Sequence, residues 1–273
     1  QAHGLRAVLM RAGRLKMPAA AILGAGTASA ALLYWRWKAS ISKPRVYAGQ
    51  NEVLAQILRA VPALAEPYVP PVWCHSWWAQ LGAHLAFEPL RPKPSLDFEV
   101  QPLEMPDGGV CGLAWGRRPE EADGRLSGDS PVLCVFHTVV GTAENPVLRR
   151  LCGHALDRGF RPVVFLRRGH LGQPLQTAKF HLVGFSADAR MQLSAVQRAY
   201  PDAPLVALGA SAGTGSLVRL LGEDAESTPL KAAVCICPGY DTSTGNAFAK
   251  MWRIADRYLK PHLQSFFFDG HHA

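Results

Sequence analysis

Apolar residues recur along the chain with two different spacings, and the change from one to the other divides it. Between 50 and 66, Val53, Leu54, Ile57, Leu58, Val61 and Leu64 keep a helical period, which Pro67, Pro70 and Pro71 then interrupt. Residues 73–90 carry Trp73, Trp77, Trp78, Leu81, Leu85 and Phe87, an apolar payload that predicts packing against the edge of a core or one wall of a pocket. Pro89, Pro92 and Pro94 mark a linker. The stretches 98–103 and 110–115, separated by Pro106-Asp107-Gly108-Gly109, predict a β-hairpin. Residues 117–130 are charged and nearly free of large apolar side chains, as in a solvated loop.

From residue 131 onward the alternation is regular. Strands are predicted over 131–136, 162–166, 205–208 and 232–237, and helices over 145–158, 187–200, 212–221 and 248–259. The strands are apolar on both faces, which calls for a mostly parallel sheet covered by helices on each side. The predicted class is α/β. On this reading 1–45 forms basic flanks around a hydrophobic segment, 46–96 a helical, Trp-rich extension, and 97–273 the α/β domain.

A net charge of +8 would suit a nucleic-acid binder if the bases lay on the folded domain. They do not. Arg6, Arg11, Arg14, Lys16, Arg36, Lys38, Lys43 and Arg45 fall in the first 45 residues, which hold no acid, and the remaining 21 bases face 21 acids. No basic cluster with interleaved aromatics follows residue 45, so nucleic acid is not an expected partner.

Between those bases, Met17 to Trp35 is a run of 19 uncharged residues. As a helix it would extend about 28 Å, enough to cross a bilayer. Tyr34, Trp35 and Trp37 beside Arg36 and Lys38 suit a headgroup interface. The segment reads as a single-pass amino-terminal anchor in the endoplasmic reticulum or another internal membrane. An organellar transit peptide is the alternative, because the segment contains Arg and no acid, or a soluble amphipathic leader. The six cysteines, at 74, 111, 134, 152, 235 and 237, have no metal-ligand spacing and read as small packed hydrophobes, so neither metal nor cofactor is expected.

The chemistry concentrates where the third regular strand meets its helix, at Gly209-Ala210-Ser211-Ala212-Gly213. A G-x-S-x-G elbow needs residues without bulk on both sides of the serine, since the turn from strand to helix is tight and lifts the hydroxyl clear of the sheet edge. The following helix aims its free N–H groups at the same spot, where they would stabilise an oxyanion. Ser211 is the expected nucleophile. The Ala212 N–H is expected to donate to the oxyanion together with the N–H of Thr138 or Val139, from the loop after strand 131–136. His137 precedes the nucleophile in the chain, so it reads as a structural residue rather than as the catalytic base.

Several further motifs accompany the elbow: Tyr68-Val69-Pro70-Pro71-Val72-Trp73, Gly82-Ala83-His84-Leu85, Pro106-Asp107-Gly108-Gly109, Arg168-Gly169 and Asp188-Ala189-Arg190. In order and spacing, across roughly residues 50–260, they resemble the YheT-like branch of the α/β-hydrolases, which includes membrane-anchored abhydrolase-domain lipases. The resemblance implies a serine carboxylesterase or lipase acting through an acyl-enzyme on monoacylglycerol, phospholipid or short-chain acyl esters. It also implies an α/β-hydrolase fold incomplete at its carboxyl-terminal end, because the family's acid and base follow two further strands and would fall beyond residue 273.

The chain departs from that family in three places. Thr138 stands where glycine usually follows the loop histidine. Leu166 and His170 flank Arg167-Arg168-Gly169 where Asn and a small residue are common. Asp241, Asp256 and Asp269 are spare acids and His262, His271 and His272 spare bases, but none follows a predicted strand. The rival reading is therefore a catalytically silent relative acting as a membrane-tethered scaffold or binding protein. Dehalogenation or epoxide opening, which usually needs an Asp nucleophile, is disfavoured by Ser211.

Overall fold

The computed structural model describes residues 19–49, 51–119, 126–138, 143–170, 175–180 and 185–239, with isolated positions at 257, 260, 261 and 263–265. The chain divides between Arg91 and Pro92 into two compact units.

The first unit is helical. Helix α1 spans Ala19–Ser40. Helix α2, Glu52–Ala60, starts where the Asn51 side chain accepts the Leu54 N–H at 2.8 Å, satisfying one of its unpaired amides. Helix α3, Trp77–Phe87, is capped in the same way by Ser76. Between them the Trp37 indole N–H donates to the Pro70 carbonyl at 2.7 Å, and Ser42 pairs with Tyr68 in an isolated bridge.

Two expectations change here. Helix α1 forms over most of the proposed anchor, yet among the described residues no helix is long and apolar enough to cross a membrane. The physical reason is composition: alanine, glycine, serine and threonine fill much of α1, and Arg36 and Lys38 lie within it. The Trp-rich segment is also not packed away. All six of its large apolar residues are exposed, Trp73 by 69% and Trp77 by 60%. Short helices without a common enclosed core leave only Pro70, Cys74 and Glu88 buried among the described residues of this unit.

The second unit is a six-stranded sheet with helices on both faces. Strands β1 (Asp97–Glu104) and β2 (Val110–Arg117) form the predicted hairpin. Then follow β3 (Val132–Phe136), α4 (Pro146–Asp157), β4 (Arg161–Leu166), α5 (Ala187–Ala199), β5 (Leu205–Ala210), α6 (Ala212–Asp224) and β6 (Leu230–Ile236). The spatial order is β1-β2-β4-β3-β5-β6, with β1 and β2 antiparallel to their neighbours and the rest parallel. This mixed order, with crossover helices joining the parallel strands, is that of the α/β-hydrolases. The helix expected at 248–259 lies almost wholly outside the described residues.

The strands alternate faces with a period of two, and both faces are apolar. Val132, Cys134, Phe136, Val163 and Phe165 pack against Leu193 and Val196 of α5 and Leu217 and Leu220 of α6. Val135, Val164 and Leu166 point the other way, to Leu148 and Cys152 of α4. Four cysteines, Cys74, Cys111, Cys134 and Cys152, are buried as free thiols, and burial pushes the Cys152 thiol up to about 12.

The chain runs from β3 to β4 on one side of it and then crosses back to β5 on the other, so β3 and β5 are neighbours whose following segments diverge. Such a switch point opens a crevice at the carboxyl ends of the strands. Phe136 pairs with Gly209, so the loop after β3 and the elbow after β5 leave the sheet side by side.

Candidate active site

The predicted elbow is present in full. Ser211 sits between β5 and α6 with φ +50° and ψ −117°, in the left-handed half of backbone space that a residue with a side chain rarely enters. Its N–H donates to the Ile236 carbonyl at 2.9 Å, which ties the strained residue to the end of β6. Its carbonyl accepts the Thr214 N–H at 3.0 Å and the Thr214 hydroxyl. Serine at the start of a helix ordinarily spends its hydroxyl capping the first turn. Ser211 makes no such bond, and its side chain is left exposed at the sheet edge.

Both glycines of the motif have a steric reason. A Cβ on Gly209 would come within 3.0 Å of the Thr214 Cα, where helix and strand are closest. A Cβ on Gly213 would stand 2.7 Å from the His137 carbonyl oxygen and collide with the Phe136 carbonyl. The absence of that atom lets the first turn of α6 rest directly on the backbone of the loop after β3. Ser211 is exposed there, and Ala212 and Thr138 are half-buried. Val139, the alternative donor, lies outside the described residues, as do Asp241, Asp256, Asp269, His262, His271 and His272.

His137 is enclosed at 1% exposure and makes no hydrogen bond to Ser211 among the described residues. Its Nδ1 lies 2.7 Å from the Thr138 carbonyl, and its ring centroid 4.7 Å from that of buried His170. Burial above all, and then the charge of Arg167 and the neighbouring His170, hold its pKa well below the usual value, so the ring is neutral at pH 7. Arg167 enters from the end of β4. One of its guanidinium nitrogens, Nη2, donates to the His137 carbonyl at 3.2 Å and to the Thr138 carbonyl, and lies 3.1 Å from His137 Nδ1. Burial lowers this guanidinium to about 10, which leaves it charged at neutral pH.

Beside this cluster, three of the motifs noted in the sequence converge on one ion network. Arg168 holds Asp188 through both oxygens, Nε to Oδ2 at 2.7 Å and Nη2 to Oδ1 at 2.8 Å. Its Nη1 reaches Asp107 in the β1–β2 turn at 2.9 Å, and Lys179 approaches the same oxygen of Asp107 at 2.9 Å. Hydrogen bonds from Arg168 and Lys179 hold the Asp107 carboxyl far below the usual carboxylate range. Gly109 belongs to the same device, since a Cβ there would meet the Arg168 Cζ at 2.8 Å. The sequence flagged these residues as separate motifs and gave no sign of their pairing, because the partners are 61 and 20 positions apart.

No family model matches the chain. Phospholipase ABHD3 of Bos taurus is 27% identical over 226 residues, 82% of this chain and 54% of its own length. The human protein ABHD15 is 33% identical over 62% of this chain and 36% of its own. The putative esterase YheT of Escherichia coli K12 is 35% identical over 136 residues, 50% of this chain and 38% of its own. The chain is similar to the YheT-like α/β-hydrolases. It spans about half the length of the phospholipase relatives it matches, 54% of the bovine protein. Among solved structures, a serine hydrolase of Xanthomonas campestris overlaps 59% of this chain and 69% of its own at 18% identity, with a TM-score of 0.43. Of the motifs shared with that family pattern, the elbow holds Ser211, and Pro106-Asp107-Gly108-Gly109, Arg168-Gly169 and Asp188-Ala189-Arg190 meet in the Arg168 network.

Proposed function

We propose that this chain carries the nucleophile half of a serine hydrolase that cleaves carboxylic esters of lipids or short acyl chains. The observation that carries the reading is the backbone of Ser211, held at φ +50° between strand and helix with its hydroxyl exposed and free of any capping bond. Strain of this kind costs on the order of 1–3 kcal/mol and persists where the surroundings over-determine it.

In the proposed reaction Ser211 Oγ attacks the ester carbonyl carbon and gives up its proton to a base. The carbonyl oxygen becomes an oxyanion facing the N–H of Ala212 and that of Thr138 or Val139. The alcohol then leaves with a proton, and water attacks the acyl-enzyme to release the acid. The general acid–base pair is assigned to residues outside those described. The relatives named for phospholipase and esterase activity support acyl esters as the substrate class.

The full-length protein should label with a fluorophosphonate probe and hydrolyse p-nitrophenyl butyrate, both lost in Ser211→Ala. A folded protein that neither labels nor turns over would replace this reading with that of a binding or scaffold protein.

A further inference from the structure

We propose that Arg167 is a positioning residue for the oxyanion site, acting through the backbone of His137 and Thr138 rather than on substrate. The inference rests on the serine-hydrolase reading above and assigns it a residue that the elbow motif does not contain.

The argument starts from peptide geometry. The C=O of one residue and the N–H of the next belong to one rigid trans plane and point in opposite directions. Anchoring the His137 carbonyl therefore fixes the direction of the Thr138 N–H. Arg167 Nη2 donates to that carbonyl at 3.2 Å, and also to the carbonyl of Thr138 itself. A single guanidinium thus grips two consecutive peptide units of the loop that would hold the oxyanion. The same His137 carbonyl oxygen lies against Gly213, where a Cβ would stand 2.7 Å from it, so the gripped backbone also touches the first turn of α6.

Two further consequences follow from the cation itself. A carbonyl that accepts a charged donor polarises its amide, and the N–H on the same plane becomes a better donor. The cation is also held in place by the two carbonyls, so it needs no reorganisation as negative charge develops in the transition state.

The test uses the full-length protein with p-nitrophenyl butyrate, comparing wild type, Ser211→Ala, Arg167→Met and Arg167→Lys. Arg167→Met should lower kcat by about 30-fold or more while KM stays within about twofold, since the lost interaction belongs to the transition state. Arg167→Lys, which keeps the charge and one donor direction, should recover part of that loss. The rate of fluorophosphonate labelling should fall in the same order, with thermal melting of both variants near that of wild type. An unchanged kcat in folded Arg167→Met overturns the proposal. So does a loss in which KM rises as much as kcat falls, or one that Lys does not relieve. If wild type itself shows no Ser211-dependent turnover, the hydrolase reading falls and takes this proposal with it, and the Ser211→Ala control separates that case from the others.

Discussion

Gly213 lies against Phe136 so closely that a Cβ would fall 2.5 Å from the Phe136 carbonyl carbon, which means the nucleophile helix and the neighbouring strand end touch backbone to backbone. Neither side can yield cheaply, because β3 is pinned between β4 and β5 and α6 begins at the strained Ser211. Gly213→Ala should cost on the order of 1–3 kcal/mol, as overpacking does in a tight interior, and should abolish fluorophosphonate labelling of Ser211. Gly222, in the same helix, has open space around its Cα. Gly222→Ala should therefore be neutral or stabilise by up to about 1 kcal/mol with labelling intact. Chemical denaturation of the two variants makes the comparison, and equal effects would show that the contact at Phe136 is not what the glycine is for.

The pairing of Arg168 with Asp188 is buried, bidentate and shared with Asp107. Removing one partner of such a pair strands the other, at a typical cost of about 3–5 kcal/mol. Arg168→Met should be destabilised by that amount. Arg168→Lys should lose most of it too, because an ammonium cannot match the two oxygens of Asp188 as the planar guanidinium does. In a double-mutant cycle, Arg168→Met with Asp188→Leu should cost clearly less than the sum of the single changes. Additive losses would mean the two side chains act independently.

Much of this fold was readable before any coordinates, for a specific reason. Strands β3, β4 and β5 are short, apolar on both faces and bounded by turns, and α4, α5 and α6 carry apolar stripes, so period and length agree at each element. The elbow was legible because its chemistry dictates local sequence: Gly209 and Gly213 are required by contacts of their own missing side chains. Non-local contacts left no such trace. Nothing in Arg167 announces that it will reach carbonyls 30 and 29 residues earlier, and nothing in Asp107 points to Arg168.

Two expectations stand differently. An uncharged run of 19 residues suggested an anchor, whereas among the described residues no helix is long and apolar enough to cross a membrane. The tryptophans of 73–78 suggested packing on a core edge or one wall of a pocket, since aromatic residues carry the largest apolar surface. Within their own unit the short helices leave them exposed.

Glu223 supplies a prediction on acid stability. The Ser186 hydroxyl donates to it first, with Arg219 and Arg190 adding to the effect, and together they lower its carboxyl to about 2 from an ordinary 4.5. A carboxyl depressed in the folded state is stabilising above its unfolded value, and the benefit disappears as pH falls from about 4.5 toward 2. Glu223→Gln should therefore be less stable than wild type at pH 6, and the gap should close by pH 2.5. Urea midpoints at the two values decide it. A gap that persists in acid would trace the defect to lost hydrogen bonds instead of charge.

His137 is the group whose titration should matter nearest neutrality. Its burial, with the charge of Arg167 beside it, holds the folded ring neutral far below the pH at which a free histidine picks up its proton. Below about 6.5 the unfolded chain binds a proton that the folded chain refuses, so stability falls as pH falls, by at most about 1.4 kcal/mol per pH unit for one such group. Between pH 6.5 and pH 5 the wild-type protein should lose up to about 2 kcal/mol from this source. Asparagine can keep a donor toward the Thr138 carbonyl and has nothing to titrate, so His137→Asn should show a correspondingly flatter profile, even if its stability at pH 8 is lower. Histidines remote from the site are common to both proteins and drop out of the difference, and His170, which His137 touches, is cancelled by making the same comparison in a His170→Asn background. Parallel pH profiles for the two would place the proton elsewhere and remove the reason for reading the buried His137 ring as neutral.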